Sequence, residues 1–351
     1  MIPEESRFHP DPEELVEELR ALPSGWAVGT PDPDDLGEVR RLTDLLRAHE
    51  REGRGWAGAG KDDVLVEVSD HGLRTRQNVV VRDDTGLIRA WGSVHDRASG
   101  RMLFGHVVER GLPEPVGRAC SDVLVEWALG QAREVGAARG REVQQIDTGA
   151  FAGDERQRRW LAADGFTHVR TWWQMSRPVT PDEAGLVDDP ARWERAGVVV
   201  RLVDREGDGH PAEADLRAVH DVLEAAFTDH FNSKPETLDE FLFRLREDPG
   251  HRWDHWWLAE VDGHPAGALV GTESRSASYV AYIGVLELAR GRGVAKGLLR
   301  TVIADAAARG RGSVGLEVDA DSPTGADRLY RGRGWETSYV TESWHRDVPV
   351  P

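Results

Sequence analysis

Apolar residues recur at Ala295, Leu298, Leu299, Val302, Ile303 and Ala306, the spacing of one helix face, and Gly310 stops the run. This predicts a helix over Val294–Arg309. Ser278–Leu286 directly before it reads as a strand. Upstream, Val198–Val203 reads as a strand, Glu213–Phe227 as a helix and Leu238–Glu247 as a second helical stretch. Strands over Trp256–Val261 and Pro265–Thr272 meet at Asp262-Gly263, a hairpin turn pair. Downstream come a strand at Ser313–Val318, a short helix at Thr324–Arg331 and a closing strand at Thr337–Trp344.

The first half repeats this order. Trp26–Gly29 reads as a strand, Asp34–Glu50 as a helix, and Asn78–Arg82 with Leu87–Val94 as a hairpin about Asp84-Thr85-Gly86. A strand at Met102–Val108 precedes a helix over Val116–Arg139, striped by Val116, Cys120, Val123, Leu124, Trp127 and Val135 and ended by Gly140. Val143–Thr148, a short helix at Glu155–Ala162 and an aromatic strand at Thr171–Met175 complete it. Asp164-Gly165-Phe166 answers Arg333-Gly334-Trp335. Turn-forming residues between Pro178 and Pro190 mark the boundary, giving domains over 1–180 and 190–351. A further short helix is expected over Pro12–Leu22. The repeat is far too long for a solenoid.

Composition narrows the function. The chain has 351 residues, enough for two domains with separate cores. A net charge of −18 removes the basic footprint that nucleic-acid binding needs, and it steers cationic small molecules such as amines favourably. No apolar run approaches the ~20 residues that span a bilayer. The acidic, proline-containing start does not resemble a targeting segment, so the cytoplasm is the expected location and no membrane partner is expected. Cys120 is the only cysteine, which excludes an intramolecular disulfide framework, and its place on a helical stripe points to a packed thiol. His251 and His255 have the spacing of helical metal ligands, but the tryptophans around them and the onset of a strand point to packing, so no metal is expected. Most of the thirteen tryptophans are expected to pack rather than to line an acceptor site.

The candidate chemistry lies at Arg290-Gly291-Arg292-Gly293-Val294-Ala295. Glycines let a backbone turn tightly and approach a ligand. Amides of the loop and first helical turn point one way and add to the positive end of the helix dipole, which suits a pyrophosphate. Arg290, Arg292 and Lys296 supply cationic partners. Downstream stands Ser322-Pro323-Thr324-Gly325-Ala326-Asp327-Arg328-Leu329-Tyr330, followed by Gly334-Trp335.

With this hairpin, strand, Arg-x-x-Gly-x-Ala loop and tyrosine-bearing helix, the segment from Val198 to Arg346 resembles the GNAT superfamily of acetyl-coenzyme A-dependent N-acetyltransferases. The two halves resemble its tandem type: an α/β fold of two domains, each a mixed, mostly antiparallel twisted sheet flanked by helices. The resemblance implies that Ile283, Gly284 and Val285 pair with the pantetheine arm, and that Arg290 to Lys296 hold the pyrophosphate. Ser322 stands where the family often has Asn, and Ala326 follows in the same motif. Tyr330 would protonate the departing thiolate, as a phenol that stays protonated at neutral pH can. Glu273 and His230 are candidate bases for the acceptor amine, with Tyr282 and Asp319 as further possibilities. The expected reaction is direct transfer of acetyl to a primary amine of a small molecule in a ternary complex, by a monomer or homodimer. The alternatives are a non-catalytic acyl-coenzyme A sensor and a transferase of another acyl or aminoacyl group.

In the first half, Leu161 falls at the place of Tyr330 and Gly153 at that of Ser322. The loop there runs Glu109-Arg110-Gly111-Leu112-Pro113-Glu114-Pro115-Val116-Gly117. Prolines remove amide donors, and the glutamates would repel phosphate. A degenerate domain without a working coenzyme site is expected, one that covers the second half and shapes its acceptor pocket.

Overall fold

The computed structural model describes residues 21–69, 72–97, 100–185, 197–207, 209–227, 236–246, 248, 250–274, 276–322 and 325–351. Of the expected features, 12–20 of the first helix, His230 and the second part of the 178–190 break lie outside the described residues. The chain forms two compact units. One runs to Thr171 and regains Val340–Pro351; the other is Trp172–Tyr339.

The first unit holds β1 (Ala27–Gly29), α1 (Leu36–Arg54), α2 (Lys61–Val68), β2 (Arg76–Arg82), β3 (Ile88–Asp96) and β4 (Arg101–Val108). There follow α3 (Glu114–Ala138), β5 (Val143–Phe151), α4 (Glu155–Ala163) and the start of β6 (Thr167–Pro178). Its sheet order is β1-β2-β3-β4-β5-β12, where β12 is Glu336–Pro349, and only the β4–β5 ladder is parallel. Strand alternation divides its residues between two layers. Val79 and Val81 pack with Cys120, Leu124 and Ala128 of α3, while Val80, Ile88 and Trp91 pack with Leu42, Leu45 and Val64 of α1 and α2. The Cys120 thiol is buried and pushed up to about 12 by desolvation, with Glu109 adding to the effect, so it is an inert core group.

The second unit holds β7 (Val198–Leu202), α5 (Glu213–Ala226), α6 (Leu238–Arg246), β8 (His251–Val261), β9 (His264–Ser274) and β10 (Ala277–Val285). It continues with α7 (Val294–Ala308), β11 (Ser313–Asp319) and α8 (Ala326–Arg331). Its order is β6-β11-β10-β9-β8-β7, with only β10–β11 parallel. The predicted stripe of α7 packs on Trp257, Leu269, Val280, Val314, Leu316 and Val318. Trp256, Leu258, Ala268 and Val270 point the other way, onto α5 and α6.

The expected division after residue 180 and the observed packing differ at two strands. Trp172–Pro178 of β6 pairs along all of β11, inside the second unit. Thr341–Pro349 of β12 pairs with β5, inside the first. A strand joins whichever open edge its alternating face can bury, and sequence order does not choose the edge. Helix α2 escaped the sequence reading because its apolar face is only Val64 and Val68.

One ion network in the second unit makes its stability depend on pH. Arg201 grips Asp215 through two hydrogen bonds of 2.7 and 2.8 Å and reaches Glu260 at 3.0 Å. The Asp204 amide also donates to Asp215, at 2.6 Å. The arginine's hydrogen bonds, first among these causes, hold the buried Asp215 carboxyl below its usual range. A depressed folded-state pKa stabilises above the ordinary carboxylate range, and that stabilisation disappears as pH falls through it. Asp215→Asn is expected to cost about 1–3 kcal/mol at neutral pH. Thermal unfolding should therefore show the variant and parent converging below about pH 4.

Candidate active site

The parallel β10–β11 ladder runs for only four residue pairs, from Ala277–Ser313 to Val280–Leu316. Beyond them β10 stays paired with β9 as far as Val285, and β11 with β6 as far as Asp319. A bulge in the β9–β10 register between Val280 and Tyr282 bends β10 at the point of parting. Between the edges Ala281–Val285 and Glu317–Val318 there is thus a slot across which the β10–β11 ladder does not continue.

The predicted loop closes one end of this slot. After a short 3₁₀ turn at Glu287–Ala289, Arg290 is extended, and Gly291 and Gly293 take φ of 79° and 91°, a region that favours glycine. Helix α7 starts at Val294, so the amides of Val294, Ala295 and Lys296 are orphan donors of a helix N-terminus. The helix start lies tight on the sheet, since a Cβ at Gly267 would stand 2.5 Å from Val294 Cγ1. Arg290 and Lys296 are exposed, whereas Arg292 pairs with Asp262 at 2.7 Å. The loop, Ile283–Val285 and the α7 start are therefore contiguous along one stretch of chain.

On the same unit, the Ser322 amide donates to the Asp319 carbonyl at 3.1 Å, carrying the chain from β11 to α8. Ala326 is half-buried against the core, and Tyr330 sits within it at 6% exposure, its ring 6.1 Å from that of Trp335. Burial pushes the Tyr330 phenol up to about 12.

The first unit has the same parting, after Phe104 and Thr148, but fills it with its own side chains. Phe166 N donates to Leu161 O as Trp335 N does to Tyr330 O, so the ends of α4 and α8 correspond. One turn before these residues stand Gln157 and Ala326. Gln157 donates to the carbonyls of His106 (3.3 Å) and Gly149 (3.4 Å), one from each strand edge. Arg156 donates to the Val108 carbonyl at 3.2 Å. Its counterpart in the second unit is Gly325. The Arg110 guanidinium is turned onto the buried Asp154 carboxylate and onto His49 Nδ1, and Glu109 accepts from Arg41 and Arg89.

Glu273 is placed elsewhere. It pairs in register with Ser278, at the opposite end of β10 from the loop, roughly 20 Å away at strand rise. Arg311 (2.5 Å) and Arg252 (3.4 Å) hold its carboxyl below the usual range, Arg311 above all. Such an ion pair makes Glu273, one of the two candidate bases, a poor proton acceptor. Tyr282 accepts from the Arg244 guanidinium beneath Phe241. Asp319 caps a turn through the Asp321 amide at 2.9 Å. His251 packs its ring on Trp253 and Trp256, and the buried His255 bonds Asp254 at 2.9 Å, so these histidines are held by packing and pairing.

Three residues that the sequence reading passed over meet where the strands part. Glu317 is the first residue of β11 beyond the ladder, opposite Gln174 of β6. Gln174 Nε2 donates to Glu317 Oε2, and Tyr279 Oη donates to Gln174 Oε1 at 3.4 Å. Tyr279 lies over Gly315, where a Cβ would come within 3.0 Å of its ring. By alternation these groups occupy the face opposite Leu316, Val318 and Tyr330.

Residues 216–335 match the acetyltransferase (GNAT) family. A mycothiol acetyltransferase of Frankia casuarinae is 34% identical over 201 residues, 52% of this chain and 53% of the relative. The chain thus spans about half the length of that curated relative. Among solved structures, a GCN5-related N-acetyltransferase from Sphaerobacter thermophilus superimposes with a TM-score of 0.72 at 23% identity, covering 94% of this chain and 98% of that one. A tandem GNAT protein from the clavulanic acid biosynthesis pathway gives 0.64 at 14% identity, covering 93% and 99%. The matched segment contains the parted strands, the glycine loop and Tyr330, and the fold likeness extends over both units. Residues 216–335 are therefore a segment similar to the GNAT acetyltransferase family, and the fold of the chain is that of tandem GNAT proteins.

Proposed function

We propose that the second unit transfers an acetyl group from acetyl-coenzyme A to a primary amine of a small molecule, in a ternary complex, and that the chain carries one coenzyme site. The reading is carried by the contrast between Gln157, which bonds a carbonyl on each edge of the first slot, and Ala326, which has no polar side chain at the matching place of the second unit. Open backbone groups at Ile283–Val285 suit the amides of a pantetheine arm. The orphan amides at the start of α7, with Arg290 and Lys296 beside them, suit a pyrophosphate. A strand N–H at the slot would stabilise the oxyanion as the thioester carbonyl becomes tetrahedral, and Tyr330 would donate its proton to the leaving sulfur. The mycothiol acetyltransferase likeness favours acetyl as the group and a small molecule as acceptor. The net charge of −18 favours an amine.

Thiol release from acetyl-coenzyme A in the presence of aminoglycosides, amino acids and polyamines tests the reaction. Calorimetric titration with coenzyme A tests the site. One site per chain is expected, and Ala326→Gln should weaken binding at least tenfold by placing in the second unit the side chain that fills the first. Two equivalent sites, or undiminished affinity of the variant, would refute the assignment.

A further inference from the structure

The acyl-transfer reading leaves open which group receives the amine proton, because Glu273 is held in an ion pair and His230 lies outside the described residues. We propose that Glu317 is that proton acceptor and that Gln174, on β6, is the residue that positions it; this inference rests on the acyltransferase reading above.

Four observations converge on Glu317. It is the first residue past the last β10–β11 pair, so it stands at the apex of the slot where a thioester threaded from the loop would end. It lies on the face opposite Tyr330, so an acceptor entering from the Glu317 side meets the carbonyl with the acid on the far side. Its Oε2 is fixed by Gln174, whose own carbonyl is fixed by Tyr279, while Oε1 has no hydrogen-bond partner among the described residues. It is exposed although protein surrounds and desolvates its carboxyl, the situation of a group on the wall of a cleft.

The charged and titratable groups around it are few. Asp319 on its own strand repels its charge, and desolvation, the larger cause, likewise raises its proton affinity, while the Gln174 hydrogen bond opposes both. Tyr279 faces it from β10, and burial keeps that phenol protonated; Tyr339 and Tyr282 lie beyond Tyr279. No arginine, lysine or histidine among the described residues pairs with Glu317. A carboxylate whose proton affinity is raised by burial, with no cationic partner among the described residues, is suited to accept a proton from nitrogen.

The neutral amine nitrogen bonds to the thioester carbon while its proton passes to Glu317, and the carbon–sulfur bond breaks with its electron pair going to sulfur. Tyr330 protonates that sulfur, and solvent takes the proton from Glu317 and restores the one lost by Tyr330. An acceptor arriving as ammonium first gives one proton to solvent.

The test uses the full-length chain and the panel amine that the wild type acetylates fastest, with kcat/KM measured between pH 5 and 10. Glu317→Gln keeps shape and hydrogen bonding, and it should lower kcat/KM on the order of 10²–10⁴-fold with coenzyme affinity unchanged. Glu317→Asp should recover part of the loss. Gln174→Met removes a donor to the carboxylate, so the acid limb of the profile should move up by about 1 pH unit, a change that loosened packing alone would not produce. Activity of Glu317→Gln within threefold of wild type, or an unmoved limb in Gln174→Met, would overturn the inference and leave the acyltransferase reading standing. A wild type that acetylates no amine would overturn both.

Discussion

Tyr330→Phe is expected to reduce kcat by about 10²–10⁴-fold, the usual contribution of a positioned general acid, while coenzyme affinity stays within about twofold. The substitution removes one oxygen and keeps the ring. That ring is packed among Trp335, Leu316 and Val318, so the core and the shape of the slot should persist. The hydroxyl has no hydrogen-bond partner among the described residues, so its loss breaks no internal network. Burial pushes the phenol up to about 12, so the hydroxyl carries its proton through the neutral range. Tyr330 should accordingly impose no alkaline limb on kcat below about pH 11. Steady-state kinetics, calorimetry and thermal unfolding separate the roles. A turnover within threefold of wild type would remove Tyr330 from the chemistry and leave it as core packing, and weakened coenzyme binding in step with turnover would point to a binding role.

The other large effect concerns folding. A chain ending at Tyr339 is expected to lose the first unit and keep the second. It lacks the nine residues of β12, Thr341–Pro349, that pair with β5. It also lacks Trp344, 7% exposed, and Val348, 2% exposed, from the core under α3. A buried tryptophan alone contributes about 3–5 kcal/mol, against roughly 5–15 kcal/mol for a whole domain. Removing Glu342 leaves Arg158 without its 2.9 Å partner as well. Hydrogen exchange should show β5 and α3 unprotected in the truncated chain, with β9 to β11 still protected. By the same reasoning, residues 190–351 alone should fold poorly, because they omit the seven residues of β6 that pair along β11 and bring in Met175. Retained protection of β5 would show that the closing strand is dispensable.

Much of the second unit was legible from pattern alone. Helix α7 followed from its three- and four-residue apolar spacing, and the β8–β9 hairpin from Asp262-Gly263, where Asp262 takes a φ of 53° and Gly263 one of 80°. The β8 strand begins five residues before its predicted start, at His251. Its mixed polar and aromatic opening gives no alternation, and the register shifts between His251 and Trp256. The glycine loop and Tyr330 were visible because their residues lie close together in the chain and carry conformational or chemical demands that few residue types meet.

What the sequence by itself determined was local: which segments are helix or strand, that the order occurs twice, and where a loop of glycines and arginines precedes a helix. Periodicity and turn chemistry act over a few residues, so they survive as readable marks. Only the tertiary structure decided which edges the strands β6 and β12 would join, since an alternating strand fits either open edge equally well by its own pattern. It also decided that Gln157 bonds a carbonyl on each edge of the first slot, where the matching residue of the second unit, Ala326, has no polar side chain. Glu317 and Gln174, 143 residues apart, meet only because β6 lies beside β11. Such contacts depend on sheet order, and sheet order is a property of the packed core rather than of any segment within it.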